Sequence, residues 1–318
     1  MNLAQTVLGV TFLNPTVLAS GPMGIVGSGW KEIVRQGAGG ITTKSIWLTE
    51  HRGHANPTII ATDRWTLNAV GLAQAGIDAA KPEIEAYLAD RPAPLILNIV
   101  SDTIEGFAKT AAAAVKLHPD FLEINISCPN VEDQLGRPFA CSVTDAAAVT
   151  KAVKKSAKKV PVFIKLSPNV DDIKAIARAC ATAGADGFTV INTAGPGMAI
   201  DLRSRLPILS NKVGGLSGPS IKPIAVRCVA DVFAATEGKF PIIGTGGVAS
   251  GEDAIEMLLA GASLVGIGTA IWERGIDVFR KVCEEMQLWC TNEGVNHPSE
   301  LVGGMHRAIA TSDSRRKT

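Results

Sequence analysis

Between residues 16 and 269 short apolar runs alternate with longer segments whose apolar positions recur every three or four residues. The runs at 16–20, 40–45, 95–100, 121–127, 162–167, 187–193, 241–246 and 264–269 are rich in β-branched residues and predict buried strands. The periodic segments at 29–36, 77–89, 104–116, 143–158, 170–183, 220–235, 251–259 and 278–291 predict helices. Gly37, Gly184 and Gly261 stand just past helices, where a left-handed residue ends one. Ala183-Gly184-Ala185-Asp186-Gly187 and Ala260-Gly261-Ala262-Ser263 read as the same helix-to-strand turn used twice. Eight strands and eight helices in strict alternation fit a closed (β/α)8 barrel, an α/β fold, better than an open sheet. Apolar positions on either side of Leu8-Gly9 add a small N-terminal hairpin.

Three connections are longer than this pattern needs, at 46–76, 131–141 and 194–219. All follow strands and therefore lie at the C-terminal face of the barrel, where such folds hold their chemistry. They are expected to wall or cover a deep pocket. Residues 1–311 are expected to form one domain, and the polar stretch 312–318 a disordered tail.

Composition narrows the class. With 46% hydrophobic and 19% charged residues the chain can bury a large core, and a formal charge of +1 gives no electrostatic case for nucleic acid or membrane binding. Its six cysteines include no C-x-x-C pair, so no metal or cluster site is expected, and Cys180 and Cys228 fit helical core positions. Met1 to Gln5 lacks a basic and apolar leader pattern, and no span-length apolar run occurs, so a cytoplasmic protein is expected. His51 and His54, around Arg52-Gly53, read as exposed loop residues, and no G-x-S-x-G motif is present.

The candidate chemistry sits on strand ends. In Phe121 to Ser127, Glu123, Asn125 and Ser127 alternate with Leu122, Ile124 and Ile126, so one face of a buried strand is polar. Pro129 stops that strand just after Cys128, leaving the thiol at its C-terminal end. Lys165, inside Val162-Phe163-Ile164-Lys165-Leu166-Ser167, must meet an anion, a polar ligand or a structural ion-pair partner. Lys44, Asn98, Asn125 and Asn192 also fall late in strands, and amides repeated in this way suit a flat heterocycle with mixed donors and acceptors. Gly244-Thr245-Gly246-Gly247 and Gly266-Ile267-Gly268-Thr269 close the last two strands. Glycines there let backbone N–H groups approach a phosphate, with tight strand packing as the alternative.

Several blocks together resemble the dihydroorotate dehydrogenases: Ala19-Ser20-Gly21, Thr43-Lys44-Ser45, Leu67-Asn68-Ala69-Val70-Gly71-Leu72, Asn125-Ile126-Ser127-Cys128-Pro129-Asn130, Ile164-Lys165-Leu166-Ser167-Pro168-Asn169, Asn192-Thr193, Gly214-Gly215-Leu216-Ser217-Gly218-Pro219 and Gly244-Thr245-Gly246-Gly247. They occur in the family's order from about residue 3 to 290. The resemblance implies an FMN-containing (β/α)8 barrel that oxidises dihydroorotate to orotate in pyrimidine synthesis. Cysteine at 128 is similar to the class 1 enzymes, and the run from Gly214 to Arg227 is most similar to the NAD-linked subclass 1B. That subclass implies a partner subunit carrying FAD and a 2Fe–2S cluster, in a heterotetramer built on a homodimer. The loop Gln134-Leu135-Gly136-Arg137 and the chain beyond residue 295 match less well, which leaves the acceptor, NAD through a partner or fumarate, open. The barrel of dihydropyrimidine dehydrogenase is also similar, with histidine where this chain has Asn130, so a uracil-type substrate is the alternative.

Carried over by position, the resemblance implies FMN phosphate on Gly246, Gly247, Gly268 and Thr269, with Gly218 nearby. Ser20, Lys44, Ser45, Asn98, Asn125 and Ile191 would line the ring and ribityl chain, and Lys165 would face the N1/O2 edge. Dihydroorotate would meet Lys44, Asn68, Ala69, Val70, Gly71, Leu72, Asn125, Asn130, Asn192 and Thr193. Cys128 would take the C5 proton as C6 gives a hydride to flavin N5, Lys165 assisting. A thiol base, with a reference pKa of roughly 8.5, implies a mildly alkaline optimum.

Overall fold

The computed structural model describes residues 1–126 and 139–315. Ser127, Cys128, Asn130 and residues 131–138 of the expected lid lie outside them. Fourteen strands are described. In chain order they are β1 Gln5–Val7, β2 Val10–Phe12, β3 Thr16–Leu18, β4 Gly40–Thr42, β5 Ile59–Ala61, β6 Thr66–Asn68 and β7 Leu95–Ile99. The rest are β8 Phe121–Asn125, β9 Val162–Leu166, β10 Gly187–Val190, β11 Ala194–Gly197, β12 Gly214–Ser217, β13 Ile242–Thr245 and β14 Leu264–Ile267.

Eight of these close into a parallel barrel in the order β3-β4-β7-β8-β9-β10-β13-β14, each strand pairing with the next and β14 returning to β3. This is the (β/α)8 barrel expected from the alternation, with helices between successive strands. The two turns read as equivalent are so. Gly184 and Gly261 both have positive φ, and the following Ala185 and Ala262 N–H groups reach back to Cys180 and Met257 carbonyls.

The N-terminal end of the barrel is filled by side chains. Val17, Ile96, Phe121, Phe163, Ile243 and Leu264 form a cluster that Val7 and Phe12 of the β1–β2 hairpin complete. Phe121 and Phe163 stack at 4.9 Å, and Phe12 lies 5.9 Å from Phe121. Room for these rings comes from glycine. A Cβ on Gly40 would lie 2.6 Å from Phe12, and one on Gly187 would lie 2.4 Å from Phe163. The hairpin therefore plugs the floor, and the barrel can open only at its other end.

At that end the structure departs from the sequence reading. Residues 46–76 and 194–219 are not irregular walls. They supply β5, β6, β11 and β12, which form one antiparallel sheet in the order β11-β12-β6-β5. Leu67, Ala69 and Leu209 make its small core, with Ile60, Trp65 and Leu216 packed against it. His51 and His54 are half-buried rather than exposed: His51 stacks on Trp47 at 5.2 Å, and His54 Nδ1 sits 3.0 Å from the Ala69 carbonyl. The closing helix, Gly304–Arg315, continues past residue 311, where the sequence reading placed the start of a tail. Among the described residues no helix is long and apolar enough to cross a membrane.

Candidate active site

Between the barrel mouth and the antiparallel sheet lies a cavity of about 370 Å³. It is lined by Ser20, Lys44, Ser45, Asn125, Lys165, Ile191, Asn192 and Thr193 from the barrel strands' C-terminal ends. Asn68, Val70, Gly71 and Leu72 come from the β6 side, and Gly218, Gly246, Gly247, Gly268 and Thr269 from the last turns. The structure thus brings together residues up to 249 positions apart, Ser20 to Thr269, that sequence reading had named one block at a time.

Two named residues do not line it. Ala69 is fully buried in the small core of the antiparallel sheet, because successive strand residues point to opposite faces and its neighbours Asn68 and Val70 take the cavity side. Asn98 is also fully buried and hydrogen-bonds deeper in the barrel, its Nδ2 donating to Glu123. Cys128 and Asn130 fall outside the described residues.

The polar groups are tied into a network. Asn125 Nδ2 donates to Ser45 Oγ at 3.1 Å, and Asn192 Nδ2 donates to Asn125 Oδ1 at 3.3 Å. Thr193 N–H donates to Asn192 Oδ1 at 2.7 Å, and Asn169 Nδ2 holds the Thr193 carbonyl at 3.1 Å. Amides locked in this way present a fixed donor–acceptor pattern to a planar ligand. The Gly214-Gly215 pair has a packing reason. A Cβ at Gly215 would meet Thr193 Oγ1 at 2.1 Å, and one at Gly214 the Asn68 carbonyl at 2.6 Å.

Lys165 lines the cavity and is also ion-paired. Its register neighbours are Asn125 on β8 and Thr189 on β10, and its Nζ lies 3.5 Å from Glu123 Oε1. Glu123 is 1% exposed and takes further hydrogen bonds from Asn98 and from Thr189 Oγ1 at 2.6 Å. The alternation along β8 had shown Glu123 only as part of a polar face. Lys44 lines the same cavity with no ion-pair partner among the described residues, and burial pushes its amine below the ordinary lysine range. A half-buried cation with no ion-pair partner among the described residues suits an anion.

At the other side, the backbone N–H groups of Gly246, Gly247, Gly268 and Thr269 donate to no other backbone group among the described residues. Gly246 and Gly247 have φ of +133° and +75°, and a Cβ on Gly247 would meet Lys222 Cβ at 2.7 Å. Thr245 Oγ1, in the cavity wall, is buried with no hydrogen-bond partner among the described residues. Backbone donors with no partner among the described residues, on a glycine turn that lines the cavity, fit the phosphate of a nucleotide-like cofactor. Among the described residues no cluster of His, Cys, Asp and Glu could hold a metal ion.

A family model described as Dihydroorotate dehydrogenase matches residues 2–289. A relative in Methanocaldococcus jannaschii named "Dihydroorotate dehydrogenase B (NAD(+)), catalytic subunit" is 45% identical, over 96% of this chain and 98% of that protein. Relatives with the same name in Methanothermobacter thermautotrophicus and Geobacter metallireducens are each 41% identical with the same coverage. Among solved structures, the dihydroorotate dehydrogenase of Eimeria tenella in complex with ferulenol superposes with a TM-score of 0.85 at 25% identity, over 96% of this chain and 89% of that one.

Proposed function

The chain belongs to the dihydroorotate dehydrogenase family, and from that premise we propose that it oxidises dihydroorotate to orotate with FMN in the cavity above the barrel. The observation that carries the reading is the pairing, in one cavity, of an anion cradle at Gly246, Gly247, Gly268 and Thr269 with a network of amides and the lysines 44 and 165. The cradle and the unpartnered Thr245 hydroxyl fit FMN's phosphate and polar chain. Ser20, Ser45, Asn125 and Ile191 would line the cofactor and Lys165 its N1/O2 edge. When bound, FMN supplies the acceptor for the C6 hydride.

The chain's own residues do the rest. Lys44 pairs with the substrate carboxylate, and Asn68, Asn125, Asn192 and Thr193 read the ring amides. Cys128, which ends the polar-faced strand in the sequence, removes the C5 proton. Lys165 meets the negative charge that develops at the far edge of the site. The barrel, residues 1–311 with the helix that runs on to Arg315, acts as one domain. Because its relatives are named catalytic subunits, we infer a second subunit that takes the electrons onward, carrying FAD and a 2Fe–2S cluster, on a homodimeric core.

Anaerobic mixing of the purified flavoprotein with dihydroorotate or dihydrouracil tests the reading. Dihydroorotate should bleach the flavin at about 450 nm within seconds, dihydrouracil should not, and the reverse preference would overturn the assignment. Replacing Cys128 by Ala should slow that bleaching by on the order of a hundredfold or more with flavin content unchanged. Near-wild-type reduction in that variant would remove the thiol as base.

A further inference from the structure

We propose that Glu123 is a positioning residue that sets how strongly Lys165 favours the reduced state of the bound flavin, by offsetting part of the lysine's charge from beneath the cavity. This rests on the reading that FMN occupies the cavity, and it adds to it a residue that touches neither cofactor nor substrate. Three observations carry it. Glu123 is 1% exposed and does not line the cavity, yet its carboxylate is 3.5 Å from the Nζ of Lys165, which does. Its other oxygen is held by Thr189 Oγ1 at 2.6 Å, and Asn98 Nδ2 donates to the first, so the carboxylate cannot swing away from the lysine. The three side chains that hold it come from β7, β9 and β10, so the arrangement is built across four neighbouring strands rather than within a flexible loop.

A carboxylate buried this deeply is costly, and a barrel floor of Phe121, Phe163 and Ile96 would be more simply continued by apolar residues. What the carboxylate does is electrostatic. Lys165 alone would place a full positive charge in a low-dielectric site, and a flavin edge that gains negative charge on reduction would be held reduced. Such a flavin would accept electrons from substrate readily and release them poorly. A fixed anion on the far side of the lysine weakens that hold while keeping the lysine aimed into the cavity. Thr189 and Asn98, by donating to the carboxylate, limit how much of the lysine's charge it cancels.

The test is the flavin midpoint potential, measured by dye equilibration, in the wild type, Glu123→Gln, Glu123→Asp and Thr189→Val. Glu123→Gln keeps shape but loses the charge, and the ratio of reduced to oxidised flavin at a fixed potential should rise roughly tenfold to a hundredfold. Glu123→Asp keeps the charge and should stay near the wild type even if both variants melt earlier. Thr189→Val withdraws a donor from the carboxylate and should shift the ratio the opposite way. If Glu123→Gln holds no flavin, Thr189→Val decides alone. No shift in Glu123→Gln, equal shifts in the Gln and Asp variants, or a Thr189→Val shift toward the reduced form would overturn the proposal. A wild-type chain that binds no flavin removes the functional reading and this one together. A flavoprotein reduced by dihydroorotate whose potential ignores Glu123 and Thr189 removes this inference alone.

Discussion

Lys44 lines the cavity half-buried, and burial pulls its pKa below the ordinary lysine value. Two consequences of opposite sign follow. In the free protein the native state holds fewer protons than the unfolded chain between the lowered pKa and roughly 10.4, so this residue adds stability as pH rises through that window. Binding of an anion works the other way, because the carboxylate needs the ammonium. Orotate affinity should therefore fall as pH rises through the lowered pKa, and Lys44→Arg, which stays protonated, should flatten that fall; titration calorimetry across the alkaline range checks it. The thiols divide just as clearly. Burial pushes Cys180 and Cys283 up to about 11, and Cys228 and Cys290 are also buried and shifted upward, while Cys141 is exposed. Iodoacetamide at neutral pH should label Cys141 and Cys128 and spare the other four, with orotate protecting Cys128; peptide mapping reads the pattern. Of the site, Lys165, Asn125 and Asn192 were legible in sequence because a polar residue in a buried apolar strand has few other reasons to be there. Glu123 carried the same signal, but its partner Lys165 is 42 residues away, and only register across β8 and β9 joins them.

The elements that the alternating pattern revealed are those with long apolar runs, the eight barrel strands and the helices between them. The antiparallel sheet over the mouth was hidden. β11 is Ala194-Gly195-Pro196-Gly197 and β12 is Gly214-Gly215-Leu216-Ser217, whose compositions read as turns. The loop that follows β13 shows a second device invisible in sequence. Asp253 accepts from the N–H groups of Ala249 and Ser250, each at 2.9 Å, and from Lys222 Nζ at 2.8 Å. Lys222 in turn packs where a Cβ on Gly247 would stand. One carboxylate thus fixes the turn that begins with the phosphate cradle. Asp253→Asn should cost about 1–3 kcal/mol of stability in urea unfolding. It should also weaken FMN retention several-fold in ultrafiltration while orotate affinity of the reconstituted enzyme is kept. Equal losses for both ligands would mean that the clamp serves the whole mouth rather than the cradle.

Taken as a whole, the molecule closes its barrel at one end with the hairpin's Phe12 and covers the other with a sheet, so on the proposed reading reaction and electron exit share one cavity. At about 370 Å³ that cavity is near the lower limit of ligand sites, which run from roughly 300 to 1,000 Å³. On the proposed reading, electrons bound for NAD(+) leave through the inferred second subunit. The isolated chain should reduce its own flavin with dihydroorotate yet reduce NAD(+) at no more than about one per cent of the rate reached after a second, iron-containing flavoprotein from the same cell is added. Absorbance at 340 nm follows the reaction, and native mass with iron and FAD content identifies the complex. Rapid NAD(+) reduction by the isolated chain would overturn the inferred second subunit.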